Sequence, residues 1–268
     1  MRPTTLLLQQ LAAAALLLAL GASCAAQSAA PRPCSAPVRM GILADWEPYN
    51  YTDEAGKQAG LDLELSRAIF AEANCMLIEF GPLSSSAGVR LFMDGKVDLM
   101  MGASRTPARD VFAHFSRAYR GESASIFTLV DSPAEVQKVA SFAQFMQQSG
   151  LLLALRIGWF GEDFENNKEQ LRRDNRLADF SGYSQGVRLL GLRRAPYLLG
   201  DTVTIARAAR RQGISVVALS FQLVKAPVYM MFNRKTVSAE DVRLLDEAVE
   251  RLERRGVLEK IRRSYAAQ

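Results

Sequence analysis

One stretch of the chain combines residue types that could bind an anion. Residues 101–109 (MGASRTPAR) follow directly on a strand-like apolar segment, and open α/β sheets bind ligands at the ends of their strands. Gly102 and Ser104 let backbone N–H groups come close to a ligand, and the Thr-Pro pair after them favours a helix start with Arg109 in its first turn. A helix N-terminus and a planar guanidinium together suit a carboxylate. In the alternative interpretation, Arg109 pairs with Asp110 or another acid on the surface.

The composition excludes several other kinds of chemistry. His114 is the only histidine of the 268 residues, so a metal site built from several histidines is impossible, and we expect no metal or other cofactor. Lysine and arginine total 33 against 28 aspartate and glutamate, which gives a net charge of only +5. Because the arginines are mixed with acids along helical stretches, they predict solvated helix faces and no nucleic-acid partner.

The N-terminus is typical of a signal peptide. Arg2 precedes an apolar run at residues 6–20, and small residues follow that run. We expect residues 1–26 to be removed on export, with cleavage after Ala30 as the other possible position, which predicts a periplasmic protein. Cys24 offers an alternative, a lipoprotein anchor, although Gly21 stands where that signal usually has leucine. The apolar run at 6–20 is too short for a stop-transfer helix, and no second hydrophobic run of about 18 or more residues follows it.

Two cysteines of the exported chain occupy equivalent places in the sequence. Cys34 and Cys75 each lie just before a strand-like run, so they meet at one edge of the sheet if those strands are parallel neighbours. In an oxidising compartment we expect a disulfide between them. The bridge would close a loop of about 40 residues and stabilise the fold by about 4 kcal/mol. The alternative is two unrelated buried thiols.

The spacing of apolar residues predicts two successive α/β units. In the first, strand-like runs at 38–43, 76–80 and 96–101 alternate with helical patterns at 61–74 and near residues 89–95, an order typical of parallel strands with crossover helices. The second unit repeats the pattern, with strands predicted at 125–130, 153–158, 177–180, 197–199 and 215–219. Residues 53–60 are polar and predict a turn. A helix capped by Ser238 and ended by Gly256 follows.

In its short motifs the chain resembles the bacterial extracellular solute-binding proteins of the polar amino-acid type, which serve ABC transporters. The resemblance rests on VRMGI (38–42), DWEPY (45–49), GLDLE (60–64), GKVD (95–98), TPAR (106–109) with Phe115-Ser116, and GVLEKI (256–261), which occur in the family's order. It implies two α/β lobes, each a mostly parallel sheet flanked by helices, joined by a two-strand hinge with the ligand in the cleft between them. Lobe one would comprise residues 34–122 and 226–268, and lobe two residues 123–225.

The resemblance also implies roles for individual residues of the first lobe. It makes Arg109 the binder of the ligand's carboxylate and Ser104, with the backbone of Gly102 and Ala103, its helpers. Trp46 would stack on the ligand, or else serve as a rim or core tryptophan. Asp45 and Glu47 are the nearest acids that could meet an ammonium group; a solvated loop is the alternative for both.

The second lobe departs from the family's pattern. Trp159 and Phe160 follow Gly158, where the family usually has a small hydroxyl residue, and Leu43 replaces a common acid of the first loop. The family's usual ammonium-binding acid is missing after Arg194, so Asp201 is the nearest substitute, unless it only caps the next helix. We include Trp159 and Asp201 among the expected ligand-binding residues.

Two classes of function agree with these features. The first is a monomeric binding protein without enzyme activity that delivers a carboxylate-bearing solute to a membrane ABC permease or to a sensor. The second is a cleft enzyme like the cyclohexadienyl dehydratases, relatives on the same fold that perform elimination chemistry. An enzyme needs an acid or base with a shifted pKa beside the ligand. The sequence offers Glu162 and Asp163, for which an ordinary helix start is the alternative.

Overall fold

A computed structural model describes residues 33–266. The strands are β1 (Val38–Leu43), β2 (Tyr51–Thr52), β3 (Gln58–Ala59), β4 (Leu77–Leu83), β5 (Leu99–Ala103), β6 (Ala113–Leu129), β7 (Leu152–Leu155), β8 (Leu177–Phe180), β9 (Tyr197–Asp201) and β10 (Val216–Asn233). The helices are α1 (Leu61–Glu72), α2 (Ser85–Met93), α3 (Pro107–Asp110), α4 (Ala134–Gln137), α5 (Phe142–Gln147), α6 (Glu162–Arg173), α7 (Tyr183–Gly191), α8 (Thr202–Arg211), α9 (Ala239–Arg254) and α10 (Val257–Ala266).

The main sheet places two groups of parallel strands on either side of a central antiparallel pair. Its strand order is β4-β1-β5-β10-β6-β9-β7-β8. The strands β4, β1 and β5 run parallel to one another, as do β9, β7 and β8. In the centre, β10 and β6 pair antiparallel with each other and with their outer neighbours. The α/β fold with parallel strands and crossover helices is therefore the one that the sequence predicts.

The two central strands connect two halves that have separate hydrophobic cores. One half packs β1, β5, α1, α9 and α10 around buried residues such as Leu63, Leu99 and Leu245. The other packs β7, β9 and the helices α5 to α8 around residues such as Phe145 and Leu198. Both β6 and β10 contribute side chains to both halves, which explains why they reach 17 and 18 residues.

Several features differ from the elements that the sequence predicts; the strand predicted at 153–158, for example, ends at Leu155. The predicted strands at 125–130 and 215–219 are only parts of β6 and β10, since long strands that pass between two cores do not keep one apolar alternation. The polar segment at 53–60, predicted as a turn, contains the second arm of a short hairpin, in which Tyr51 pairs with Ala59.

The last long helix forms where its local signals place it. Ser238 caps α9 by accepting a hydrogen bond from the backbone N–H of Asp241 (3.0 Å), and Gly256 follows the helix with a φ of 70°. Its apolar face is buried in the first half. The cap and the apolar spacing are both local properties of the sequence, which is why they suffice for this element.

Cys34 and Cys75 form a disulfide that joins the two chain segments leading into β1 and β4. These strands are parallel neighbours, with Val38 in register with Leu77. The expected pairing of the cysteines therefore agrees with the structure. The expected signal peptide, residues 1–26, and the alternative anchor at Cys24 lie outside the described residues, and within 33–266 no helix is long and apolar enough to cross a bilayer.

Replacing both cysteines should measure what this bridge contributes. We expect Cys34→Ala/Cys75→Ala to lower the free energy of unfolding by about 2 to 4 kcal/mol, because the open chain gains conformational freedom when it unfolds. Urea titrations of both proteins with and without a reductant provide the measurement and its control, since the reductant should affect only the parent. Two reactive thiols in denatured, non-reduced protein from the periplasm would contradict the pairing.

Candidate ligand-binding site

A cleft of about 940 Å³, including the open space at its mouth, lies where strands from both halves end. Its lining follows the carboxyl ends of β1, β5, β7, β8 and β9, which is where α/β sheets place their ligands. The structure brings together every ligand-binding residue that the sequence predicts. These residues are Asp45, Trp46, Gly102, Ala103, Ser104, Arg109, Trp159 and Asp201.

Arg109 enters this cleft as a cation without an acidic partner. Thr106 caps the short α3, and the Arg109 side chain folds back so that Nη1 donates to the carbonyl of Ser104 (2.7 Å). Among the described residues no carboxylate lies within 4.0 Å of its guanidinium, and Asp110 pairs with Arg105 instead (2.9 Å). Burial lowers the pKa of Arg109, as expected for a cation that is held away from water.

Gly102 serves packing more than ligand binding. Its φ is 65°, and a Cβ there would lie 2.4 Å from Cη2 of Trp46 and 2.7 Å from Nη2 of Arg120. Its backbone N–H donates to the hydroxyl of Tyr119 (2.7 Å), so it is not open to a ligand as the sequence led us to expect. Glycine is needed at this position because both the backbone angle and the neighbouring side chains exclude a Cβ.

Trp46 links the two halves at the edge of the cleft. It is partly buried and packs against the cores of both halves. Its ring lies 5.2 Å from that of Tyr49, and the guanidinium of Arg120 lies 5.4 Å from its ring. The indole therefore lines the cleft and also packs inside the protein, while its stacking on a ligand stays a prediction.

Asp45 and Glu47 both bind the opposite half of the molecule. The carboxylate of Asp45 accepts hydrogen bonds from the backbone N–H (2.9 Å) and the hydroxyl of Ser184, in the first turn of α7. Glu47 pairs with Arg211 (3.0 Å) and Arg207 (3.6 Å) of α8. Asp45 remains exposed to solvent and Glu47 is half-buried, but in this conformation both acids already have partners in the protein.

Asp201 both caps a helix and faces the cleft. One carboxylate oxygen accepts the backbone N–H of Thr204 at the start of α8 (2.8 Å), and the other lies 3.4 Å from the hydroxyl of Tyr49. The hydroxyl of Tyr183 accepts the N–H of Asp201 itself (3.1 Å). Burial raises the pKa of the Asp201 carboxyl.

Glu122 is a cleft acid that the sequence did not single out. It lies on β6 in register with Ala226 of β10, and its side chain is 14% exposed. Its carboxylate pairs with Nη1 of Arg120 at 3.7 Å. Burial raises the pKa of Glu122 to about 7.

A buried ion pair supports the floor of the cleft. Arg120 contacts Asp62 of α1 through two atoms, at 2.7 Å and 3.1 Å, and the two side chains are only 2% and 0% exposed. The hydroxyl of Tyr119 donates to the same carboxylate (2.9 Å), and the Arg120 guanidinium lies 3.8 Å from the ring centre of Tyr49. The pair is internally neutralised, so Arg120 is already committed to a protein acid.

Most of the remaining cleft lining is apolar. Trp159 and Phe160 form part of the wall on the side of β7, together with Leu155 and Ile157. The opposite wall carries Leu43, Val89, Met100, Met101 and Met231. A bound molecule would therefore meet a few charged side chains, Arg109, Glu122 and Asp201 among them, in a cleft whose lining is otherwise largely apolar.

Comparison with known families agrees with this architecture. The model of the bacterial extracellular solute-binding proteins, family 3, matches residues 38–268. The chain belongs to this family. A search of curated proteins gives no match to this solute-binding protein.

Solved structures of similar fold span almost the whole of this solute-binding protein. A histidine kinase sensor domain with similarity to periplasmic binding proteins has a TM-score of 0.74 at 20% identity, covering 85% of this chain and 95% of its own. A mutant of ArgBP from T. maritima has a TM-score of 0.72 at 18% identity, covering 87% and 96%. The substrate-binding protein of an amino acid ABC transporter has a TM-score of 0.69 at 16% identity, covering 87% and 100%. All three show the two-lobed periplasmic-binding-protein fold.

Proposed function

We propose that this solute-binding protein captures an amino acid or a closely related carboxylate in the cleft between its lobes. The observation that carries the proposal is Arg109, a partly buried cation in the cleft without an acidic partner among residues 33–266. A carboxylate of the solute would supply that partner through a two-point contact. Asp201, which lines the same cleft, would balance a cationic group on the solute.

The cleft walls favour a solute with an uncharged side chain. Beyond the charged groups, both walls are built from aliphatic, sulfur-containing and aromatic side chains, among them Trp46 and Trp159. Burial of apolar solute surface there would contribute about 25 cal/mol per Å². A second charged group placed against these walls would lose its hydration without gaining a partner.

We assign lobe one to residues 34–122 and 226–268 and lobe two to residues 123–225. The separate cores on either side of β6 and β10 support this division. A solute that contacts both lobes favours the closed arrangement, because it gains those contacts only when the cleft shuts. The links of Asp45 to Ser184 and of Glu47 to Arg211 are contacts between the lobes that would act in the same direction.

Removal of the Asp45 carboxylate should weaken closure. We expect Asp45→Ala to reduce solute affinity by about tenfold. Hydrogen bonds to a charged group contribute about 1.5 to 3 kcal/mol, and hydrogen bonds from Ser184 to water recover part of that free energy in the variant. Calorimetry gives the affinity, and small-angle scattering should show a larger radius for the variant without solute. Asp131→Ala, which removes an acid from an exposed pair with Arg193, is the control. Equal affinity and equal radius for Asp45→Ala and the parent would rule out this role.

The family and the N-terminal sequence support export of the protein and delivery of the solute to a membrane transporter. The family consists of extracellular proteins, and one structure of similar fold serves an amino acid ABC transporter. We infer that residues 1–26 direct export and that a membrane ABC permease receives the solute. One structure of similar fold is a histidine kinase sensor domain, so a signalling protein is the alternative recipient of the solute.

A thermal-shift screen tests the proposed function. The panel contains the twenty common amino acids, their deaminated carboxylates and the matching amines. We expect at least one amino acid to raise the melting temperature, and to raise it more than its carboxylate or amine analogue does. If amines bind and no carboxylate does, the proposed orientation on Arg109 is wrong.

The position of Glu122 also supports a second candidate function, elimination chemistry in the cleft. A carboxyl group with a pKa of about 7 can donate or accept a proton near neutral pH. Glu122 has that property and lies in the cleft, whereas Glu162 and Asp163 are exposed in the first turn of α6 and are not among the cleft lining residues. Mass spectrometry after incubation with hydroxylated cyclic carboxylates decides between the candidates, since only an enzyme releases the dehydrated product.

A further inference from the structure

Glu122 is a mostly buried acid whose carboxyl group makes no hydrogen bond to any residue in 33–266. Its one charged contact is Nη1 of Arg120 at 3.7 Å, and its side chain is 14% exposed at the cleft. Buried carboxyl groups in proteins are nearly always hydrogen-bonded, because an unpaired one loses its hydration without compensation. An acid left without such a bond and turned to a ligand cleft is therefore placed to bind what enters the cleft.

The charges around Glu122 come from several elements and do not cancel. Arg120 on the same strand is neutralised by Asp62 of α1, while Arg109 of α3 and Asp201 at the end of β9 also act on Glu122. The charge of Glu122 contributes to raising the pKa of the Tyr49 and Tyr183 hydroxyls. On β10, the residue in register with Glu122 is the uncharged Ala226. The Arg120–Asp62 pair is neutral overall. The remaining charged groups are one cation, Arg109, and two acids, Glu122 and Asp201.

We propose that Glu122 contacts the bound solute and, together with Asp201, recognises its cationic group. This inference rests on the proposed function, in which Arg109 takes the carboxylate of the solute. Once that carboxylate has neutralised Arg109, the two acids remain unbalanced in a closed, largely dry cleft. A solute with an ammonium group supplies the missing positive charge, and a plain carboxylate does not.

The protonation state of Glu122 then controls the affinity for the solute. Whether that affinity rises or falls with pH depends on the charge of the solute. Burial raises the pKa of Glu122 to about 7, so the group is largely neutral at pH 5.5 and largely ionised at pH 8.0. An ammonium-bearing solute should bind more tightly as the pH rises and Glu122 becomes charged. A deaminated carboxylate should bind less tightly over the same interval, because it brings a negative charge to an ionised acid.

The test compares one amino acid with its deaminated analogue. L-phenylalanine and 3-phenylpropionate share a carboxylate and an apolar ring, and neither changes its own charge between pH 5.5 and 8.0. Isothermal titration at both pH values uses the mature protein, Glu122→Gln and the surface control Glu169→Gln, whose parent side chain is 69% exposed. Glutamine keeps the shape of the side chain and removes only the titration.

For the parent we expect the affinity for L-phenylalanine to rise about tenfold from pH 5.5 to 8.0 and that for 3-phenylpropionate to fall several-fold. Glu122→Gln should show neither trend, and Glu169→Gln should show both. Equal pH profiles for the parent and Glu122→Gln overturn the inference and leave the proposed function standing. Absence of L-phenylalanine binding at pH 8.0 also overturns it, whereas failure of every amino acid in the thermal-shift panel removes the proposed function itself.

Discussion

Arg109→Ala is expected to weaken binding of the solute by about 30-fold to several thousand-fold. The guanidinium is partly buried and has no acidic partner among the described residues, so the carboxylate of the solute would be its main ionic contact. Truncating one partner of such a desolvated pair costs about 2 to 5 kcal/mol, and each 1.4 kcal/mol is a factor of ten in affinity. Calorimetry with the amino acid identified in the thermal-shift panel provides the measurement.

Three comparisons separate this role from a general loss of structure. Arg105→Ala removes an exposed arginine of the same loop, one that pairs with Asp110, and should leave the affinity unchanged. Arg109→Lys should recover only part of the binding, because an ammonium cannot make the planar two-point contact. The melting temperature of Arg109→Ala without solute should stay close to that of the parent. Parent-like affinity in Arg109→Ala would falsify the carboxylate site.

The largest effect on stability is expected from the buried pair of Arg120 and Asp62. Arg120→Met leaves the Asp62 carboxylate fully buried with the hydroxyl of Tyr119 as its remaining side-chain partner. Breaking such a pair costs about 3 to 5 kcal/mol, because an uncompensated charge remains in the interior. Urea unfolding should therefore show a free energy of unfolding lower by that amount.

The double variant tests the physical reason for this loss. Arg120→Met/Asp62→Leu removes both charges, so it should recover most of the stability that Arg120→Met loses. Arg243→Met, which breaks exposed pairs on α9, should leave the free energy of unfolding close to that of the parent. If the double variant is no more stable than Arg120→Met, the loss comes from packing and not from the unpaired charge.

The sequence predicts those parts of the protein that local patterns determine. The helix α9 follows from a cap at Ser238 and an apolar stripe, and the placement of Arg109 follows from a strand end that leads into a helix start. Both signals lie within a few residues of the element that they specify. The grouping of the predicted ligand-binding residues in one cleft follows from the same rule, because parallel strands bring their carboxyl ends together.

Other parts depend on residues that are distant in the chain. Asp62 precedes Arg120 by 58 positions, and nothing in the segment around Arg120 marks it for a buried ion pair. Glu122 lies on a strand that passes from one core to the other, so its burial follows from the packing of the two halves and not from any alternation along β6. Asp45 contacts Ser184 across the cleft, a pairing that depends on how far the lobes close.

A crystal structure with the amino acid from the thermal-shift panel tests the central claim most directly. We expect the solute to lie between the lobes, with its carboxylate on the guanidinium of Arg109 and its ammonium group facing Asp201 and Glu122. A solute bound with its carboxylate away from Arg109, or bound outside the cleft, would contradict it.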